Sequence, residues 1–194
     1  MNEFDKCKKE VFMEWEFSFL YFLQGLHSPL LDRLMMAFTA LGDMGIFWIL
    51  LALVMLFRKK YRRCGIGMAI SLVLMLIVGD VVLKHLFMRS RPCWIDTSVE
   101  LLIQLPKDYS FPSGHTFASF VSAVTIFLHH KKEGIAALVL AVLISFSRLY
   151  LFVHFPTDVL ASIVLGTSIA FLVWFFMNRY EERKKHKETA SVEE

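Results

Sequence analysis

Five stretches of the chain, each roughly 18–20 residues long, are nearly free of charged side chains, and this pattern limits the fold more than any other feature. A helix rises about 1.5 Å per residue, so about 20 residues cross a hydrocarbon core about 30 Å thick. Strand-like alternation of polar and apolar residues does not compete with this pattern. The sequence therefore predicts an all-α, polytopic transmembrane helix bundle with five clear spans. The spans cover residues 40–57, 64–83, 113–130, 134–152 and 159–177.

The composition excludes several classes of protein. Hydrophobic residues make up 56% of the chain and charged residues 20%, against about 45–50% and about 25% in soluble domains. The cysteines are Cys7, Cys64 and Cys93, an odd number with long spacings, so we predict free thiols and neither a zinc site nor a disulfide framework. The net charge of +3 comes without a basic surface domain, so nucleic acid is not an expected partner.

The N-terminal stretch 11–26 allows two interpretations. It is aromatic-rich and short, and it carries Glu14 and Glu16 near its start. It is either a sixth span or an interfacial helix that lies in the plane of the headgroups. The residues before it mix both signs of charge and show no small-residue cleavage site, so we predict no cleavable signal peptide.

Basic residues between the spans predict the orientation of the chain in the membrane. They cluster in the loop 58–63, at Lys131 and Lys132, and in the tail from residue 178. Alternating crossings place all three clusters on one side, which the distribution of Lys and Arg predicts to be the cytoplasm. The expected protein is a multi-pass protein of the cell membrane. Residues 1–177 form one domain with a catalytic core at about 78–165, and 178–194 form a polar cytoplasmic tail.

Three polar motifs fall on the opposite, extracytoplasmic face. In the first, KHLFMRSRP, Lys84 and Arg91 are seven residues apart, so two turns of one helix would point both the same way. Pro92 is expected to end that helix. In the second, PSGH, Ser113 suits a helix N-cap and Gly114 lets backbone approach a ligand closely.

The third motif, SRLYLFVHFPTD, contains Arg148, His154 and Asp158. If Pro156 lies in the first helical turn, His154 and Asp158 are neighbours one turn apart. Three cations beside a helix N-terminus suit a tetrahedral oxyanion such as phosphate. Two histidines allow one to attack and the other to donate a proton, and a carboxylate can hold an imidazole in the reactive tautomer. Only one carboxylate lies within the histidine motif, so we predict no metal and no cofactor.

The three motifs together resemble the signature of the type 2 phosphatidic acid phosphatase superfamily. Its pattern is K-x6-R-P, then P-S-G-H, then S-R-x5-H-x3-D, and the chain matches every position over roughly residues 30–177. The resemblance implies a bundle of six helices with an external active site. It implies that His154 is the nucleophile that forms a phosphohistidine, that Asp158 supports it, and that His115 protonates the leaving oxygen. The phosphoryl group would be bound by Lys84, Arg91, Ser113, Gly114 and Arg148.

Further polar residues lie near the first two motifs. Asp80 precedes Lys84 by four residues, and intramembrane carboxylates are usually paired. We expect Asp80 to pair with Lys84 or Arg91 and to position it; the alternative is a polar residue that only binds water. Arg89 lies outside the signature and is expected only to contact lipid headgroups. The segment 92–112 is expected at the bilayer surface or as a plain connecting loop.

The predicted function is hydrolysis of a lipid phosphate whose tail stays within the bilayer. Small size and orientation favour undecaprenyl pyrophosphate as substrate. Phosphatidic acid and phosphatidylglycerophosphate are the alternatives, since the resembled family acts on all three. An alternative of another class is a non-hydrolytic phospholipid-binding or transport protein, which would not need both histidines together with Asp158.

Overall fold

The structure is a computed structural model that describes the backbone of residues 3–190 and the side chains of residues 14–186. Every regular element within this range is helical, which confirms the all-α prediction. The predicted free thiol of Cys7 lies outside the described side chains, and Cys64 and Cys93 are free and buried. The α-helices are α1 (Glu3–Gln24), α2 (Pro29–Gly42), α3 (Ile46–Phe57), α4 (Arg62–Met75), α5 (Lys84–Phe87), α6 (Pro92–Ile95), α7 (Gly114–His129), α8 (Lys131–Tyr150) and α9 (Pro156–Ala190).

Four segments of the described chain are long and apolar enough to cross a membrane: Pro29–Phe57, Arg62–Ile95, Lys131–Tyr150 and Pro156–His186. Many of their large apolar side chains point away from the protein. Phe57, for example, is 86% exposed and Phe176 is 65% exposed. A lipid environment accounts for such surfaces, because large exposed apolar patches are rare on soluble monomers. The chain is a multi-pass membrane protein.

Helix α7 occupies the centre of the bundle and packs against α4, α8 and α9. It coincides with the predicted span 113–130. With 16 residues it is about 24 Å long, and every residue from Thr116 to Ile126 is buried. It packs closely on α8, since a Cβ at Gly134 would lie 2.1 Å from the Phe127 Cα atom. The helix that carries the PSGH motif is therefore held firmly by its neighbours.

The first predicted span, 40–57, lies within the candidate span Pro29–Phe57, but its helix is broken near the start. Residues Asp43–Gly45 form a short 3₁₀ turn, and α3 begins only at Ile46. Met44 has φ 50° and Gly45 has φ 67°, in the left-handed region that an α-helix does not use. The break turns the chain between α2 and α3 and brings Asp43 to the side of α7.

The helix that carries Lys84 also ends earlier than predicted. A stretch of π-helix, Leu76–Leu83, leads into α5, which ends at Phe87, and Met88 has φ 41°. Arg91 is extended, and Pro92 begins α6 instead of ending the preceding helix. The prediction that two turns of one helix align Lys84 with Arg91 is therefore wrong.

The turn between α8 and α9 holds His154 in a buried position. Residues 151–155 are buried, and Phe152 has φ 58°. Aromatic side chains of α1 cover this turn: the Phe17 ring lies 5.3 Å from that of Phe155 and 6.1 Å from that of Phe152. Burial on several sides holds a backbone conformation that is sparsely populated for residues with a side chain.

The three basic clusters lie at the opposite end of the bundle from this turn. Tyr61 Oη donates to Glu133 Oε1 over 3.3 Å, which links the loop 58–63 to the start of α8. Arg63 Nε lies 3.0 Å from Glu181 Oε1, which links the same loop to the end of α9. The polar tail predicted from residue 178 continues α9 as far as Ala190, with exposed side chains at most positions described.

Candidate active site

A cavity of about 740 Å³ opens at the end of the bundle where α5 ends and α7 begins. The residues of all three motifs meet here, although they lie up to 70 positions apart in the chain. Asp158 lies behind the cavity wall, in contact with His154. The motif residues that line the cavity are Lys84, Arg91, Gly114, His115, Arg148 and His154.

Hydrogen bonds define the tautomer of His154. Arg91 Nη1 lies 3.0 Å from His154 Nε2. A guanidinium only donates, so Nε2 must accept with its lone pair, and the ring proton is on Nδ1. Nδ1 lies 3.7 Å from Asp158 Oδ2. Burial, together with the charge of Arg91, lowers the pKa of His154 to about 3, so the imidazole is neutral at pH 7.

The Asp158 carboxylate is fully buried and bound through both oxygens. Oδ2 accepts from the backbone N–H of Phe155 over 2.9 Å and from the hydroxyl of Ser110. Ser110 Oγ also lies 3.5 Å from His154 Nδ1. Ser110 was not identified from the sequence. A serine in a loop is common, and only the fold brings this one to the histidine.

His115 contacts a carboxylate of its own. Its Nε2 lies 2.9 Å from Asp43 Oδ1. The approach is tight, because a Cβ at Gly42 would lie 2.6 Å from His115 Cδ2. Sequence reasoning missed Asp43 as a partner of His115. The sequence did contain a signal for it: Asp43 is a charged residue between Gly42 and Gly45, in the segment GDMG of an otherwise apolar stretch.

Two of the motif cations already bind an oxyanion, the carboxylate of Asp108. Lys84 Nζ lies 2.6 Å from Asp108 Oδ2, and Arg91 Nη2 lies 2.8 Å from Oδ1. Burial opposes ionisation of Asp108, but the hydrogen bond from Lys84 and the charges of Arg91 and Lys84 outweigh it and lower its pKa to about 2. Lys84 also forms the expected ion pair with Asp80, at 2.5 Å. Lys84 and Arg91 are thus brought together by Asp108, a loop residue whose carboxylate contacts both side chains.

Arg148 is buried and only partly paired. Its Nη1 donates to the hydroxyl of Thr39 on α2. Its Nε atom is buried and has no hydrogen-bond partner among the described residues. Buried donors are nearly always satisfied in folded proteins. Arg148 lines the cavity, where its positive charge is suited to an anionic ligand.

The PSGH segment is placed as predicted at the start of α7, but its serine does not face the cavity. Ser113 occupies the N-cap position and is fully buried. Its backbone N–H donates to Ser162 Oγ over 2.8 Å, and its Oγ accepts from Thr116 Oγ1 over 3.1 Å. Gly114 does face the cavity, since a Cβ there would lie 3.9 Å from Lys84 Nζ.

The expectation that Arg89 only contacts headgroups is wrong. Its guanidinium binds Asp158 Oδ1 and Thr157 Oγ1, each at 2.6 Å. The segment 92–112 also does more than connect, because residues 103–108 form part of the cavity wall. Its Trp94 Nε1 donates to the Pro106 carbonyl over 3.0 Å, which holds this part of the wall in place.

The chain is similar to two proteins with known names. An undecaprenyl-diphosphatase from Sulfolobus acidocaldarius is 39% identical over 126 residues, which is 64% of this chain and 61% of that protein. The bacitracin transport permease protein BcrC of Bacillus licheniformis is 36% identical over 145 residues, 74% of this chain and 68% of that protein. This chain therefore spans about two thirds of the length of these relatives.

A solved structure has the same fold. The crystal structure of the first transmembrane PAP2 type phosphatidylglycerolphosphate phosphatase from Bacillus subtilis superposes with a TM-score of 0.71 at 27% identity, and the match covers 87% of each chain. The family model described as the PAP2 superfamily matches residues 60–182, well over half of the chain. The chain belongs to the PAP2 superfamily.

Proposed function

We propose that this member of the PAP2 superfamily hydrolyses the phosphate or diphosphate headgroup of a membrane lipid through a phosphohistidine at His154. The observation that carries the proposal is the lone pair of His154 Nε2, which accepts from Arg91 at the wall of a cavity lined by three cations. A neutral imidazole in this tautomer is a nucleophile. The cations supply the charge stabilisation on which phosphoryl transfer depends.

The reaction proceeds in two steps. His154 Nε2 attacks phosphorus, the bond from phosphorus to the leaving oxygen breaks, and protonated His115 gives that oxygen a proton. Neutral His115 then takes a proton from water, the water oxygen bonds to phosphorus, and the P–N bond breaks to release phosphate. Asp158 stabilises the charge that develops on His154. Asp43 Oδ1 lies 2.9 Å from His115 Nε2 and would stabilise the imidazolium form of His115.

The phosphoryl oxygens would take the place that Asp108 occupies. A single carboxylate there already contacts both Lys84 and Arg91, so the two cations are spaced for one oxyanion. Arg148 also lines the cavity and provides a third positive charge. Substrate would displace Asp108 and also take Arg91 away from His154 Nε2, which frees the lone pair for attack.

The apolar part of the cavity wall supports a lipid substrate. The cavity is also lined by Ile49 of α3, Leu72 and Met75 of α4, and Leu76 of the π segment. The headgroup would lie among the cations and the tail along these apolar side chains. We favour undecaprenyl diphosphate, which the name of the Sulfolobus acidocaldarius relative specifies. Phosphatidic acid and phosphatidylglycerophosphate are the alternatives, and the Bacillus subtilis protein of known structure is named as a phosphatase of the latter kind.

The orientation proposed from the sequence suits this function. The three basic clusters lie together at one end of the bundle and would face the cytoplasm of a cell membrane. The cavity then opens on the extracytoplasmic face, and the end of α9 is cytoplasmic. Lipids of the outer leaflet would reach the cavity from the side.

A non-hydrolytic transport or lipid-binding role is the second candidate, favoured by the name of the Bacillus licheniformis relative. Binding alone requires the cations but not a histidine whose lone pair faces them. It also does not require a second histidine paired with its own carboxylate. The geometry therefore supports hydrolysis more strongly than transport.

The test is phosphate release from a panel of purified lipids in detergent with a chelator present. The panel comprises undecaprenyl diphosphate, phosphatidic acid and phosphatidylglycerophosphate. We expect chelator-resistant release, fastest from the diphosphate, and its loss in His154→Ala. The matched control is His130→Ala, a histidine at the far end of the bundle, which should keep the parent rate. Equal release by His154→Ala and the parent would refute the mechanism, and absence of release from every lipid would favour the binding role.

A further inference from the structure

Arg89 connects the catalytic carboxylate to the N-terminal helix. Its Nη1 lies 2.6 Å from Asp158 Oδ1, and its Nη2 lies 2.5 Å from Glu16 Oε2 on α1. Thr157 joins the same group, since its hydroxyl accepts from Arg89 Nη1 and donates to Glu16 Oε1 over 2.5 Å. The Thr157 backbone N–H lies 3.2 Å from the same Glu16 oxygen. One guanidinium thus bridges two carboxylates that are 142 positions apart in sequence.

The two carboxylates are buried. The side chain of Glu16 is 1% exposed and that of Asp158 is 0% exposed, while Arg89 is 27% exposed. A buried carboxylate persists only where a cation and hydrogen bonds compensate its charge. The Arg89 guanidinium also lies 4.2 Å from the ring centre of Phe155, which fixes its plane. The position of Arg89 is therefore set from three directions.

This arrangement determines which oxygen of Asp158 faces the histidine. Arg89 holds Oδ1, and that leaves Oδ2 for Ser110, the Phe155 backbone N–H and His154 Nδ1. Without the guanidinium, the carboxylate would be held only through Oδ2, by Ser110 and the Phe155 backbone N–H, and could pivot about that oxygen. Such a movement would change the 3.7 Å separation between Oδ2 and His154 Nδ1, the nitrogen that carries the ring proton.

We propose that Arg89 and Glu16 are positioning residues for the His154–Asp158 pair, so that α1 completes the catalytic centre. Arg89 acts by holding Asp158, and Glu16 acts only through Arg89. The proposal rests on the phosphatase function proposed above. It assigns to α1 a part in turnover, whether this helix spans the membrane or lies at its surface.

Simple packing of α1 is the competing explanation, and the chain offers a matched control for it. Tyr21, on the same helix, donates to Asp96 Oδ2 over 2.7 Å at an exposed site. This bond also ties α1 to the active-site end of the bundle, but it does not touch Arg89 or Asp158. Tyr21→Phe therefore loosens the attachment of α1 and leaves the ion-pair chain intact.

The experiment compares full-length variants in detergent: Arg89→Gln, Arg89→Lys, Glu16→Gln, the double variant Glu16→Gln/Arg89→Gln, and Tyr21→Phe. The readouts are kcat, KM and thermal stability with the best lipid of the panel. A fourth readout is the titration of the His154 imidazole by ¹⁵N NMR. In Arg89→Gln two buried carboxylates lose their cation, which destabilises the fold. The double variant removes one of these two charges and so provides a folded form if Arg89→Gln unfolds.

We expect Arg89→Gln to lower kcat about 100-fold with KM within about threefold, because a displacement near 1 Å at a catalytic group costs about that much. Arg89→Lys restores part of the loss, since one ammonium reaches fewer acceptors than a planar guanidinium. Glu16→Gln lowers kcat about tenfold, and the double variant is no slower than Arg89→Gln alone, because residues that act as one unit are not additive. Tyr21→Phe keeps kcat within about twofold.

The NMR titration separates this proposal from the phosphatase function. His154 faces the guanidiniums of Arg91 and Arg148 and the carboxylate of Asp158. Loss of Arg89 leaves the Asp158 charge uncompensated, which raises the pKa of His154 in Arg89→Gln but not in Tyr21→Phe. If the wild type releases no phosphate but the pKa of His154 still rises in Arg89→Gln, the phosphatase function is refuted and the positioning proposal stands. A kcat within threefold of the parent in folded Arg89→Gln, or losses that multiply in the double variant, would overturn the positioning proposal.

Discussion

Gly42→Ala provides a sharp test of the role of His115, because the structure specifies how far the ring must move. The added Cβ would lie 2.6 Å from His115 Cδ2 and 2.8 Å from Ile144 Cγ2. Carbon atoms at ordinary contact are about 3.5–4.0 Å apart. The added methyl group would therefore clash on two sides, and removing the clash requires a shift of about 1 Å by the imidazole ring or by α2.

Such a shift should affect the chemical step more than substrate binding. Displacing a catalytic group by about 1 Å costs about 100-fold in rate, which is about 2.7 kcal/mol of transition-state stabilisation. The cations proposed to bind the phosphoryl group lie on other elements, so KM should stay within about threefold. Overpacking also lowers the free energy of unfolding by about 1–3 kcal/mol. The value of kcat must therefore be calculated from the concentration of folded protein.

The assay is steady-state hydrolysis of the best lipid substrate in mixed micelles, with folded protein quantified by size-exclusion chromatography. The control is Gly67→Ala, whose Cβ would lie 3.3 Å from Met177 Sδ and 3.3 Å from Thr125 Cγ2 near the other end of the bundle. It crowds a helix interface less tightly than Gly42→Ala does and should keep kcat within about twofold.

A second substrate tests proton donation by His115. An aryl phosphate with an acidic phenol needs little protonation of its leaving oxygen, so Gly42→Ala should lose only about tenfold with it. A folded Gly42→Ala that keeps kcat within threefold on the lipid would refute the reasoning about geometry. Equal losses on both substrates would refute the role of His115 as the proton donor.

Three further changes test the remainder of the site. Asp80→Asn removes the charge that holds Lys84 and should lower kcat/KM about tenfold; unchanged kinetics would show that Asp80 positions nothing. Thr39→Val removes the hydroxyl that accepts from Arg148, and we expect about a tenfold lower kcat/KM with little change in melting temperature, whereas a large drop in melting temperature alone would indicate a structural role. The pKa of His154 near 3 means that its imidazole stays neutral as the pH falls from 7 to 5. Phosphoenzyme formation in single-turnover experiments should fall by less than about twofold over this range, while a nucleophile of ordinary pKa near 6.5 would lose about 30-fold at pH 5.

The fold, and which residues line the cavity, could largely be predicted from the sequence. Long apolar runs have few stable arrangements other than membrane helices, because lipid leaves backbone groups no partners except each other. Polar residues inside such runs must face a shared interior, which is why Lys84, His115 and His154 meet at one cavity. Their catalytic roles stay predictions that the experiments above address.

The geometry within the site was less predictable, since it depends on contacts between distant segments. Lys84 and Arg91 do meet, but through Asp108 on a loop and after a helix that ends early at Phe87. Glu16 and Ser110 are ordinary polar residues in segments where the apolar residues show no clear periodicity. Their contacts with Arg89 and Asp158 arise only when α1 and the loop fold over the turn that carries His154.

The most direct test of the account is to trap the covalent intermediate. Wild-type protein would be mixed with a lipid phosphate carrying a radiolabelled terminal phosphate and quenched within one turnover in alkaline detergent, in which phosphohistidine persists. The account predicts label on the peptide that contains His154, and none in His154→Ala. Label on another residue, or turnover at the parent rate in His154→Ala, would contradict it.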